Sequence, residues 1–123
     1  MNHYICKNLD EMIILDKPIT RGELSKLAEN YYVDMIKGVV DVDRELLALD
    51  AELHSDLESL LLKDGSIQES LWGINLYPEV DDEDFLEFDS LINIRPSQGN
   101  RSRGVENEEI REKIREVVNK FMA

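Results

Sequence analysis

The spacing of apolar residues changes several times along the chain, and each change marks an element. Leu24, Leu27, Ala28 and Tyr31 recur at i, i+3, i+4 and i+7, which lays them on one helical face. Thr20 and Glu23 stand where a capping box needs them, so a helix is predicted over 20–32. The next segment, MIKGVVDVDRELLALD, is β-branched and aliphatic and breaks at Asp43-Arg44. It predicts a hairpin of strands 35–42 and 45–49. Leu53, Leu57, Leu60 and Leu61 return to helical spacing, giving a helix over about 51–63 that Asp64-Gly65 closes. Asp50, or Ser55 paired with Glu58, are alternative caps for its start.

SLWGINLYP then alternates, with Leu71, Gly73, Asn75 and Tyr77 opposite Trp72, Ile74 and Leu76. This predicts a half-buried strand ended by Pro78. After the acidic EVDDED, the stretch FLEFDSLINI puts Leu86, Phe88, Ser90, Ile92 and Ile94 on one face, completing a second hairpin. Asn107 caps a last helix striped by Ile110, Ile114, Val117, Val118 and Phe121. MIILD, from Met12, adds a short edge strand. The expected fold is α+β, in the order (β)-α-β-β-α-β-β-α. Its four- or five-stranded antiparallel sheet carries three helices on one face.

At 123 residues with 42% apolar composition, one domain with a real core is expected over 12–123. Residues 1–11 carry little pattern and read as a loose extension, with Met12 an alternative start. That segment has neither the basic opening nor the cleavage pattern of a signal peptide. No apolar run is long enough to span a bilayer, so no membrane partner is expected. The single cysteine, Cys6, fits a reducing, cytoplasmic setting. A net charge of −13 argues against non-specific nucleic-acid binding, which depends on neutralising phosphates.

Against that acidity, INIRPSQGNRSRG (92–104) holds three arginines and no acid. Arg95 and Arg101 can clamp a phosphate or carboxylate, with Ser97, Gln98 and Asn100 as neutral donors and Asn75 on the neighbouring strand. The loop is not a Walker loop, for it lacks G-x-x-x-x-G-K-[ST]. The competing reading pairs Arg95, Arg101 or Arg103 with the acids of 79–89. A second candidate is AELHSDLE. Glu52 with Asp56, and His54 with Glu58, fall on separate helical faces, and either pair could hold a divalent metal or give a general base with an orienting carboxylate. Ligands split between faces make a poor metal motif, and no metal site is assigned. Trp72 faces away from Asn75 and belongs to core or interface. Lys37 and Asp41 have matching parity and point to a common surface.

ELHSDLE, DGSIQESLWGINLYP and SLINIRPSQGNRS, with the hairpin before them, resemble a small family of uncharacterised prokaryotic proteins of unknown function. The likeness covers about 12–121. It implies no activity or cofactor, but marks Glu52, His54, Asp56, Trp72, Asn75, Arg95, Ser97, Gln98, Asn100 and Arg101 as motif positions. This chain departs from the family in having Asp50-Ala51 where a glycine-rich turn is usual. Three readings remain. In the first, the chain is an anion-binding domain using the 95–103 loop for a small anionic ligand. In the second, it is a hydrolase or phosphate-ester enzyme using His54 with Glu52 or Asp56. In the third, it is a homodimer whose loop docks on its partner's acidic turn. The cofactor question stays open in all three.

Overall fold

The computed structural model describes residues 12–123. Its strands are β1 (Ile13–Ile14), β2 (Ile36–Asp41), β3 (Leu46–Leu49), β4 (Leu71–Leu76) and β5 (Leu86–Glu87). Its helices are α1 (Arg21–Ala28), α2 (His54–Lys63) and α3 (Glu108–Phe121). The strands form one antiparallel sheet in the order β1-β3-β2-β4-β5, an α+β architecture with the predicted sequence of elements. The expected extension over 1–11, with His3 and Cys6, lies outside the described residues. Among those described, no helix is long and apolar enough to cross a membrane.

Local chemistry explains most boundaries. The Thr20 hydroxyl accepts from the Glu23 amide at 3.0 Å, and the Thr20 amide donates to Glu23 Oε1 at 2.9 Å, so the expected capping box is formed. The helix ends at Ala28, short of the predicted 32, because the Tyr32 and Val33 amides both turn back to the Ala28 carbonyl. Asn107 caps α3 by accepting from the Ile110 amide. The start of α2 is a correction: it begins at His54, and Leu53 in the capping position supplies no side-chain bond. Asp50 does not cap it. That residue takes a left-handed φ of 80° as the chain leaves β3, and its buried carboxylate is held by Asn30.

The helices cover both faces of the sheet, not one. Leu24, Leu27 and Ala28 of α1, with Ile114, Val117, Val118 and Phe121 of α3, pack against Ile36, Val40, Leu47, Leu49, Trp72, Ile74 and Leu76. On the other face Leu57 and Leu61 of α2 pack on Val39, Ala48 and Leu71. Each fully buried leucine contributes about 1.5–3 kcal/mol. Covered twice, β4 is buried at every position, where a half-buried strand was expected. The leucines that read as a simple helical stripe at 57 and 61 in fact supply a whole second layer.

The second hairpin is also corrected. Only Asn75 and Leu76 of β4 pair with Glu87 and Leu86, and the predicted strand over 85–94 does not continue. Residues Leu91–Asn93 form a 3-10 turn, opened by the Ser90 hydroxyl accepting from the Ile92 amide. Side-chain bonding of this kind competes with a ladder, and here it wins over the alternating pattern.

Candidate functional site

Where β5 stops, side chains take over the edge of β4. The Asn93 carboxamide accepts from the Gly73 amide at 2.8 Å and donates to the Gly73 carbonyl at 3.0 Å. Arg95 serves the strand further along, donating from Nη2 to the Leu71 carbonyl. Its Nε donates to Ile92 at 3.0 Å, and its Nη1 to the Gln68 carbonyl at 2.8 Å and to Gln98 Oε1 at 3.1 Å. The guanidinium also lies 4.6 Å over the Trp72 ring. With 9% of its surface exposed, burial pulls the Arg95 pKa below its ordinary value, while Glu58 and Glu69 favour the charged form.

Asn100 closes the loop from inside. Its Nδ2 donates to the carbonyls of Asn93, Ser102 and Gly104, and its Oδ1 accepts from the Glu106 amide at 2.8 Å. Gln98 donates to the Glu69 carbonyl. Of the residues the sequence nominated for a ligand, Arg95, Gln98 and Asn100 are therefore spent on backbone groups. Ser97 and Arg101 are exposed. Arg95 is buried while Arg101 is not, so the two guanidiniums do not form a clamp. Nor does Arg95 neutralise an acid, as the competing reading had it. Only Arg103 does so, with Nε 2.6 Å from Asp89 Oδ1.

The turn beyond Asn100 carries anion-binding geometry. The amides of Arg101 and Ser102 both donate to Glu106 Oε2, at 2.8 and 2.9 Å. Consecutive amides converging on one oxygen make a nest, a concavity of positive potential. These bonds hold the Glu106 carboxyl below its usual pKa, the Arg101 amide first, then the Ser102 hydroxyl and amide, with the Arg101 charge adding to them. Sequence reasoning missed Glu106. The available signal was an acid four to five residues past a pair of loop residues, close enough to fold back on them.

His54 and Asn75 come together at the other end of β4. Cross-strand register places Lys37 beside Asn75 and Asn75 beside Glu87. Gly73 lets the chain close over this face, since a Cβ there would stand 2.5 Å from Ser90 Cβ and 3.2 Å from His54 Cδ2. His54, the first residue of α2, has Nε2 2.8 Å from the Ile74 carbonyl. A carbonyl only accepts, so Nε2 carries the proton. Burial lowers the His54 pKa and Lys37 lowers it further, opposed by the Ile74 carbonyl, Asn75 and Asp89. Asn75 donates to Glu87 Oε1 at 2.9 Å and to the Asp89 carbonyl at 3.3 Å. Its Oδ1 is buried without a hydrogen-bond partner among the described residues. Tyr77 donates to the same Glu87 oxygen, and burial, then Glu87, pushes its hydroxyl up to about 12.

The carboxylates expected to assist His54 do not reach it. Glu52 and Asp56 are exposed, and Glu52 contributes only its carbonyl, which accepts from the Tyr32 hydroxyl at 2.5 Å. Glu58 instead accepts from Gln68. Among the described residues no three His, Cys, Asp or Glu side chains gather as a metal site. A hollow of about 1130 Å³ lies elsewhere, between 83–88 and α3, with Phe85, Phe88, Arg111 and Arg115 in its walls.

One family model, described as a protein of unknown function (DUF5674), matches residues 13–121. No curated protein and no solved structure matches the chain.

Proposed function

The chain belongs to the DUF5674 family, and from the geometry of its loop we propose that it is an anion-binding domain whose contact residues are Arg101 and Ser102. One observation carries this reading: two consecutive amides converge on a single carboxylate oxygen in a turn that also exposes a guanidinium. Of the residues first nominated, Arg95, Gln98 and Asn100 brace the turn and Arg101 meets the ligand, joined by the Ser102 amide, while Ser97 and Asn75 take no part. A buried brace suits recognition because the donors are then ordered before binding, which spares their entropy cost. His54 gives the enzyme reading less support, since its fixed nitrogen faces a backbone carbonyl and no carboxylate orients it. The single cysteine, Cys6, supports a cytoplasmic setting for such a domain.

Titration with acetate or inorganic phosphate, followed by amide ¹H–¹⁵N shifts, tests the proposal. The Arg101 and Ser102 amides should move saturably, and Arg101→Ala should abolish the response while leaving the melting temperature within about 2 °C. Shifts confined to other parts of the molecule would remove the reading. A large fall in melting temperature would make Arg101 structural.

A further inference from the structure

The anion seat is already filled, and its occupant belongs to the chain. Glu106 lies five residues from Arg101 and four from Ser102, its Oε2 taking both amide hydrogens, while its own amide is held by buried Asn100. Its side chain is exposed, so nothing in the core obliges the carboxylate to stay. We infer that Glu106 is a tethered plug: the seat is built for a carboxylate, and an external carboxylate binds by displacing Glu106 from the amides of Arg101 and Ser102. This rests on the anion-binding reading and adds to it the ligand class and its control.

The argument is one of competition. A group on a short tether acts at an effective concentration on the order of mM, and an external ligand has to outcompete it. The incoming group is a carboxylate because the present occupant is one, seated through one oxygen by the amides of Arg101 and Ser102, beside the Arg101 charge. The backbone bracing leaves the seat in place when the plug departs. Asn100 binds the Glu106 main chain, not its carboxylate, and Arg95 and Asn93 fix the loop without Glu106.

Glu106→Ala should tighten acetate binding by about 10-fold or more, read from the Arg101 and Ser102 amide shifts. Glu106→Gln, which keeps a neutral acceptor on the same tether, should fall between it and the natural chain. It also remains informative if the alanine variant folds poorly. Glu109→Ala removes an equal charge from the exposed first turn of α3 and controls for long-range repulsion, which salt screens within about 10 Å. It should change the affinity no more than about twofold. Equal acetate affinity in the natural chain and both Glu106 variants would overturn the plug while leaving anion binding intact. An absence of amide shifts in all of them would overturn both. Tightening by Glu109→Ala equal to that by Glu106→Ala would reduce the effect to net charge and overturn the plug.

Discussion

The carboxamide of Asn93 pairs with both backbone groups of Gly73, accepting from its amide at 2.8 Å and donating to its carbonyl at 3.0 Å, as the next strand of the sheet would. One side chain thus closes part of an edge that β5 leaves open, and unpaired strand edges are sites of unwanted association. Its Nδ2 also reaches the Arg103 carbonyl at 2.9 Å, tying the strand to the loop. Asn93→Ala should cost about 2–4 kcal/mol, since it orphans buried backbone groups as well as losing bonds. Urea unfolding gives the magnitude. A cost under 0.5 kcal/mol would mean that water or a shifted loop satisfies Gly73 as well as Asn93 does.

Much of this architecture is legible in the sequence, and the failures around the loop share one cause. The Thr20 capping box, the 36–49 hairpin and the α3 stripe follow from local pattern alone, and the structure keeps them. The strand predicted over 85–94 fails because Ser90 and Asn93 spend their side chains on backbone groups, an option that apolar alternation does not register. The same bias affected the site. Arg95, Gln98 and Asn100 look like ligand donors because they are polar and sit in a loop, yet their partners are backbone carbonyls, at Gln68, Leu71 and Glu69 for Arg95 and Gln98 and within the loop's own neighbourhood for Asn100. His54 and Asn75 were nominated separately, and only the register of β4 with α2 folded over it shows them to be neighbours. Glu106, beside a helix cap in a run of acids, offered only its place four to five residues past Arg101 and Ser102.

Arg95 should resist replacement by lysine. The guanidinium donates to three backbone carbonyls and Gln98 while stacking on Trp72, a planar fork that an ammonium cannot reproduce. Arg95→Lys should therefore lose about 2–3 kcal/mol despite keeping the charge. Trp72 is the only tryptophan, so its fluorescence reports the same site directly. Emission and stability should change together. Unchanged emission in the variant would show that the stacking is incidental.

His54 should make stability depend on pH. Its folded pKa lies below the ordinary value of 6.5, with burial the main cause. The unfolded chain therefore takes up a proton near pH 6.5 that the native protein does not, and stability falls as pH drops from there towards the native value. Above about pH 7 the contribution is fully present. His54→Gln keeps a donor for Ile74 and removes the titration, so the difference in urea midpoint between the two proteins should shrink as pH falls from 7 to 5. A difference that stays constant over that range would show that His54 has the same pKa folded and unfolded.

Val33 stores strain close to the same end of the sheet. It is a β-branched residue at φ 68° with 72% of its surface exposed, so no packing compensates for the left-handed backbone. That conformation costs an ordinary residue about 1–2 kcal/mol, and glycine about 0.5–1 kcal/mol less after its greater unfolded-state entropy is counted. Val33→Gly should accordingly stabilise the fold by about 0.5–1 kcal/mol, a rise of roughly 2–5 °C in melting temperature for a domain of this size. Asn30 and Tyr32, which hold Asp50 and Glu52 from the same turn, would keep their places because the backbone path is unchanged. A fall in melting temperature would show that the Val33 side chain contributes contacts worth more than the strain it imposes.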